Sequence, residues 1–331
     1  MNPTLAIYGT RPEYLKIGPI LRANDSIKSL FIKQHTDIID FGVANHMVDI
    51  SDVCSNRLNS IFSQIFLKAE KVIDLYKNII IQGDTATVAA CALVAYHLKK
   101  EIIYIESGLR SFDMQNPYPE EGYRQIVSRL ANVNFCPTLL SAANLRQEKI
   151  IGKIITVGNT GLDNLLPYKN KTSYSNKILI TLHRTENISL LSDWFSEIDK
   201  AAAQHPQIEF IYPVHPNPQV AQKARSLKHV KTVPPLEHRA LLDLLKDCRL
   251  VITDSGGIQE EASFLNKKII VCRKVTERPE GIDSGHLHLC PAPSFFLDIF
   301  SDTFYNYQIN AKCPYGDGRS APKIINMLKN V

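Results

Sequence analysis

What most constrains this chain is an alternation. Short apolar runs, each closed by glycine or charge, are followed by longer amphipathic stretches: TLAIYG, NIIIQGD, EIIYIES, VNFCPT and KIITVGN, and later KILITLH, IEFIYPVH, VKTVPP, RLVITDSG and KIIVCR. Runs of that length separated by helix-length segments predict βα units and parallel sheets, the α/β class. Between Gly158 and Lys177 the pattern lapses into GNTGLDNLLPYKNKTSYSN, a polar, turn-rich stretch that marks a domain boundary. At 331 residues the chain is long for one core, and its 44% hydrophobic residues are enough for two.

Composition narrows the function class. A net charge of +5, with basic residues scattered, lacks the stripe of a nucleic-acid binder but leaves an anionic small molecule open. Seven cysteines, without CxxC or zinc-type spacing, point to reduced thiols and a cytoplasmic protein. No secretory leader opens the sequence, and no run approaches the roughly 20 apolar residues of a membrane span. The expectation is a soluble cytosolic enzyme with no membrane or nucleic-acid partner.

In parallel sheets ligands gather at the carboxyl ends of strands. In this chain nearly every such end carries charge or glycine, so the ends are expected to face one cleft between two similar halves. GTRPEYLK sets Arg11 and Lys16 in the first turns of a helix, where N–H groups and the dipole attract anions; surface cations at a helix start are the plainer reading. In DSGGIQEEA, Asp254, Ser255, Gly256 and Gly257 form a small-residue turn suited to a diphosphate, with Glu260 or Glu261 for ribose hydroxyls. It is neither a Walker loop nor a dinucleotide fingerprint. The one GxGxxA match, Gly316, Gly318 and Ala321, has no strand before it, so no nicotinamide cofactor is expected.

His183 and His215 each follow a strand, with Arg184 and Glu186 adjacent to the first. His286 and His288, in HLH, lack a third ligand at helical spacing, so no metal is expected. The segment IESGLRSFDMQNPYPEEGYR crowds Glu106, Arg110, Asp113, Glu120, Glu121 and Arg124 around glycine and prolines, which excludes one continuous exposed helix. With Asp84 it offers several carboxylates whose pKa values environment can separate into acid and base. A salt-bridged surface loop is the alternative.

Read together, GTRPE, QGDT, ESGLRS, PEEGYR, GNTGLD, LHRTEN, PVHPNP, DSGGIQEEA, RKVTERPEG and PYGDGRSA resemble the ordered motif series of the UDP-N-acetylglucosamine 2-epimerase family, from Gly9 to about Ala321. The resemblance implies the GT-B fold: two Rossmann-like domains, here 1–165 and 166–318, with a C-terminal helix over 319–331 packing back on the first. It implies a non-hydrolysing isomerase that interconverts UDP-N-acetylglucosamine and UDP-N-acetylmannosamine without a cofactor, by elimination of UDP to a 2-acetamidoglucal and re-addition. It assigns Asp84, Glu106, Glu120 and His183 to proton transfer and transition-state stabilisation. Arg11, Lys16, Arg124, His215, Ser255, Gly256, Gly257, Glu261 and Arg278 fall to the UDP-sugar, the arginines of the acid-rich loop balancing its charge. Gln34, His35 and Arg184 match a second nucleotide site, and a homodimer is implied.

Departures from the family pattern bear on substrate. Asp37 stands where glutamine or glutamate is usual, which speaks against activation by a second substrate molecule. ESGLRS replaces EAGLRT, PEEGYR lacks an asparagine before the arginine, QGDTAT loses a hydroxyl, and Gly281 to Cys313 is short, with GIDSGHLHL where GT is typical. These changes are expected where the sugar is contacted, which brings a 2,3-diacetamido, 6-deoxy or uronic acid UDP-sugar into consideration. Three other functions compete: a hydrolysing relative releasing UDP and free N-acetylmannosamine, a GT-B glycosyltransferase, and a non-catalytic nucleotide-sugar sensor.

Overall fold

The computed structural model describes residues 2–34, 44–50, 56–184, 187–306, 309 and 311–329. The chain divides into two compact units, Met1–Asn164 with Gly316–Val331, and Leu165–Tyr315.

The first unit is built on a seven-stranded sheet in the order β3 (His46–Asp49), β2 (Lys28–Lys33), β1 (Thr4–Tyr8), β4 (Asn78–Gln82), β5 (Glu101–Ile105), β6 (Val133–Cys136), β7 (Lys153–Thr156). Every pairing is parallel. Side chains alternate along each strand, so Leu5 and Ile7 enter one core layer while Ala6 and Tyr8 enter the other. Both faces are covered, which is why the central strands read as unbroken apolar runs. Over one face lies the helix Ala86–His97, almost wholly apolar and capped by Thr85. Over the other lie Arg11–Ala23 and the C-terminal helix Ser320–Leu328, whose Ala321, Ile324, Ile325 and Leu328 pack with Ile17 and Ile20.

That last helix borrows its cap. Asp163 accepts the N–H groups of Ser320 at 2.9 Å and Ala321 at 2.7 Å, satisfying two donors that a helix start leaves open.

The second unit carries a six-stranded parallel sheet: β10 (Lys231–Val233), β9 (Glu209–Pro213), β8 (Lys177–Thr181), β11 (Leu250–Thr253), β12 (Lys268–Cys272), β13 (Leu287–Cys290). Trp194, Phe195, Phe210, Tyr212, Phe296 and Phe300 form the aromatic part of its core. HLH runs into β13: His286 is fully buried against the Ser284 hydroxyl, and His288 meets Thr303. Cys91, Cys136, Cys248, Cys272 and Cys290 are buried thiols, and Cys54 lies outside the described residues. Among the described residues no helix is long and apolar enough to cross a membrane.

Candidate active site

In the first unit the register of the sheet sets the site. Gln82 pairs with Ile105, so Asp84 and Glu106 leave neighbouring strand ends. Glu106 takes a left-handed backbone, φ 63°, and is nearly buried; its carboxylate accepts from the Lys16 ammonium and the Gln82 amide. A non-glycine residue in that region persists only when surrounding contacts fix it. Next to it Gly108, φ 90°, runs so close to the Ser141 carbonyl that a Cβ would lie 2.2 Å away. No other residue fits there.

Asp84 accepts two guanidinium nitrogens of Arg124, at 2.8 and 2.7 Å, and Arg124 reaches Glu121 at 3.0 Å. Glu121 is buried, which alone would raise its pKa, but the Ser111 N–H, Gln125 and Arg124 outweigh burial and hold the carboxyl below its usual range. One residue earlier, Glu120 opens the helix Glu120–Leu130, and its buried Oε2 has no hydrogen-bond partner among the described residues. Of the loop's arginines, Arg124 pairs directly with these acids and Arg110 is hydrogen-bonded elsewhere. Arg110 is bound to Glu148 at 2.7 and 2.9 Å and to Ser128 at 2.7 Å, and reaches the cluster only through its field, which helps to lower the pKa of Glu121.

Glu13 is a residue the sequence reading passed over. It accepts from the Gly9 N–H at 2.6 Å, the Thr10 N–H at 3.2 Å and the Thr85 hydroxyl at 2.7 Å, tying the loop after β1 to the loop after β4. The signal was present, since Thr10 and Glu13 make a capping box. Arg11 is exposed at the first position of that helix. Gln34 donates to Thr87 at 2.6 Å, while His35 and Asp37 lie outside the described residues.

Three departures from the family pattern are absorbed by packing. Ser107 is fully buried and bonds Asn134 at 2.7 Å; Ala86 lies in the core under the sheet; Tyr123 packs against Phe62, ring centroids 5.8 Å apart. The Ser107 and Ala86 side chains are thereby turned into the core, whereas Tyr123 is only partly buried and lies within electrostatic reach of Glu120.

In the second unit Thr253 pairs with Thr181, so the residues beyond β11 and β8 emerge side by side. Asp254, fully buried, accepts from the backbone N–H groups of His183, at 3.1 to 3.2 Å, and Arg184, at 3.0 Å, and from the Asn187 amide at 3.0 Å. This carboxylate shapes the histidine loop. The His183 ring stacks on His215, centroids 4.8 Å apart and 4° from parallel. Burial of His183 lowers its pKa; Asp254 opposes this, His215 and Arg184 add to it, and the net direction is downward. Burial also lowers that of His215. Both shifts favour the neutral imidazole.

Ser255 precedes the helix Gly256–Phe264 without capping it through its side chain, and a Cβ on Gly257 would meet nothing within 4 Å. The open turn presents N–H groups suited to an anion. Beneath it lies Arg278: a Cβ on Gly256 would come within 2.5 Å of its guanidinium. Arg278 binds Glu260 at 2.6 Å and Glu277, which in turn holds Arg273 at 2.8 Å. Two cations and two carboxylates, all nearly buried, compensate one another. The alternatives for ribose thus separate: Glu260 is taken by Arg278, whereas Glu261 sits 3.4 Å from His238 with a buried Oε2 that has no partner among the described residues. Glu277 was not singled out from the sequence, and Asp254 and Glu260 were named with their turn but not for holding the histidine loop or Arg278, because spacing does not tell which of several adjacent acids turns inward.

Comparison with known proteins gives a consistent result. A family model described as UDP-N-acetylglucosamine 2-epimerase matches residues 25–329. A UDP-N-acetylglucosamine 2-epimerase of Salmonella borreze is 32% identical over 370 residues, covering 98% of this chain and 98% of its own. Its counterpart in Campylobacter jejuni is 33% identical over 373 residues, covering 98% and 96%. The crystal structure of UDP-GlcNAc 2-epimerase from Neisseria meningitidis bound to UDP-GlcNAc matches with a TM-score of 0.89 at 29% identity, over 99% of this chain and 100% of that one.

Proposed function

The chain belongs to the UDP-N-acetylglucosamine 2-epimerase family, and from that premise we propose that it interconverts UDP-N-acetylglucosamine and UDP-N-acetylmannosamine by elimination and re-addition of UDP. The substrate is supported by the meningococcal relative, which was solved with UDP-GlcNAc bound. The C2 proton has no adjacent carbonyl to acidify it. In the proposed route a base removes that proton as the C1–O bond breaks; the bond pair leaves on the β-phosphate oxygen of UDP and C1=C2 forms. UDP oxygen then adds back to C1, and a proton returns to the opposite face of C2. Groups that hold the diphosphate stabilise the charge that develops as it leaves, so they act on the rate as well as on binding.

We assign proton transfer and its electrostatic support to Asp84, Glu106, Glu120 and His183, with Glu120 in the leading role. The observation that carries this is the contrast among the acids. Asp84 is bound by Arg124 and Glu106 by Lys16, whereas a buried oxygen of Glu120 has no partner among the described residues. A carboxylate oxygen is kept unsatisfied in that way at a cost, and a substrate proton would remove it. The open turn at Ser255, Gly256 and Gly257 is assigned to the diphosphate, with Arg278 as the cation that positions it; Arg11, Lys16, Arg124, His215 and Glu261 complete the UDP-sugar contacts. Gln34, His35 and Arg184 belong to the proposed second nucleotide site. The homodimer is part of the same proposal. Neither hydrolysis nor transfer to an acceptor is favoured by any feature of the acid cluster.

Cleavage of C1–O is the step to test. With the bridging oxygen of UDP-N-acetylglucosamine labelled with 18O, the label is expected to scramble into the non-bridging β-phosphate positions during epimerisation, read from the 31P isotope shift. Epimerisation with the label held in the bridge, and with no 2-acetamidoglucal or UDP recovered on acid quench, would rule out elimination.

A further inference from the structure

Arg249 immediately precedes β11 and Asp254 immediately follows it, so the two lie at opposite ends of one strand, on the order of 15 Å apart. At the Arg249 end a cavity of about 420 Å3 opens, lined among others by Tyr174, Arg249, Asn266, Lys268, Phe304 and Tyr305. Two cations line it and no carboxylate does, among the described residues. Lys268 donates to the carbonyls of Thr303 at 2.9 Å and Phe304 at 3.4 Å. Arg249, half-buried, lies 5.3 Å from the Phe304 ring centroid, and no described side chain offers its guanidinium a hydrogen bond or a carboxylate. A guanidinium held against an aromatic face, with its donors unspent and a second cation nearby, is a poor choice for stability and a good one for an anion.

The aromatic walls are held in place. Tyr174 bonds the Asn266 carbonyl at 3.1 Å and carries the Lys267 ammonium 4.2 Å from its ring centroid. Tyr305 bonds His205 at 3.3 Å and stands edge-on to Phe304 at 5.0 Å. Both tyrosines are nevertheless 50% and 59% exposed. Ordered, exposed aromatic rings beside unspent donors are how small-molecule sites combine area with orientation.

We propose that this cavity is a binding site, separate from the one used in turnover, for a small anion bearing an aromatic or other planar ring. Arg249 and Lys268 take the anionic head, and Tyr174 and Tyr305 hold the ring.

Phenyl phosphate is the probe, titrated by calorimetry into the full chain, with inorganic phosphate and phenol as its two halves. The proposal expects phenyl phosphate to bind at least about tenfold tighter than either half. Arg249→Gln and, separately, Tyr305→Ala are expected to weaken it by about tenfold while turnover of UDP-N-acetylglucosamine and the thermal transition stay at wild-type values. Binding at the turnover site would be indifferent to both variants. The proposal is overturned if phenyl phosphate binds no tighter than phosphate, or if neither variant changes its affinity.

Discussion

The acids of the first unit differ in what already holds them, and that difference sets their expected roles. Asp84 and Glu106 are neutralised by Arg124 and Lys16, while Glu120 keeps a buried oxygen with no described partner. Glu120→Gln is isosteric and removes the proton acceptor without removing bulk. It is expected to lower kcat by about 100-fold or more with little change in KM, as loss of a general base does. Steady-state rates decide the point, and wild-type kcat in the variant would transfer the role to another group. Sequence made Asp84 and Glu106 legible because each follows an apolar run directly. Residue pattern alone did not separate Glu120 from Glu121, or Glu260 from Glu261, which only the family resemblance distinguished, because neighbours on a helix face directions about 100° apart and the packing decides which turns inward. Arg110 shows the same limit, since its partner Glu148 is distant in sequence.

Elements repeat the lesson with strands. The central strands were readable because both faces are buried; β2, β3 and β13 were not, since β3 is a short edge with only Val48 buried and β13 was read as a histidine pattern. The strand reading of HLH has a consequence for pH. Burial of His286 as β13 begins lowers its pKa from 6.5 to about 4. Between those values the unfolded chain binds a proton at this site that the native state does not, so stability rises with pH across the window and is lost as pH falls from 6.5 towards 4. The contribution is about 3 kcal/mol at its limit, and His183 and His215 shift in the same direction. The chain's single tryptophan, Trp194, is buried in the second unit, so its fluorescence in urea reports that unit's unfolding. Unfolding free energies at pH 7 and pH 4.5 are expected to differ by about 2 kcal/mol less in His286→Gln than in the wild type; an identical pH dependence would contradict the assignment.

At the scale of the whole molecule, the two-sheet α/β architecture was legible from periodicity alone, whereas the return of the C-terminal helix to the first unit came only from family resemblance. No local signal announces it, because its cap, Asp163, and its packing partners, Ile17 and Ile20, are remote in sequence. A chain ending at Tyr315 would leave that apolar layer open. It is expected to lose amide hydrogen-exchange protection in the strands of the first unit while the Trp194 transition persists; wild-type protection there in the truncated chain would show the helix to be dispensable. The central claim concerns the reaction, and the most direct measurement is a proton NMR time course with UDP-N-acetylglucosamine in D2O. The account predicts UDP-N-acetylmannosamine with deuterium at C2 and no lasting free UDP. Product that retains protium at C2, or UDP accumulating in step with free N-acetylmannosamine, would contradict it.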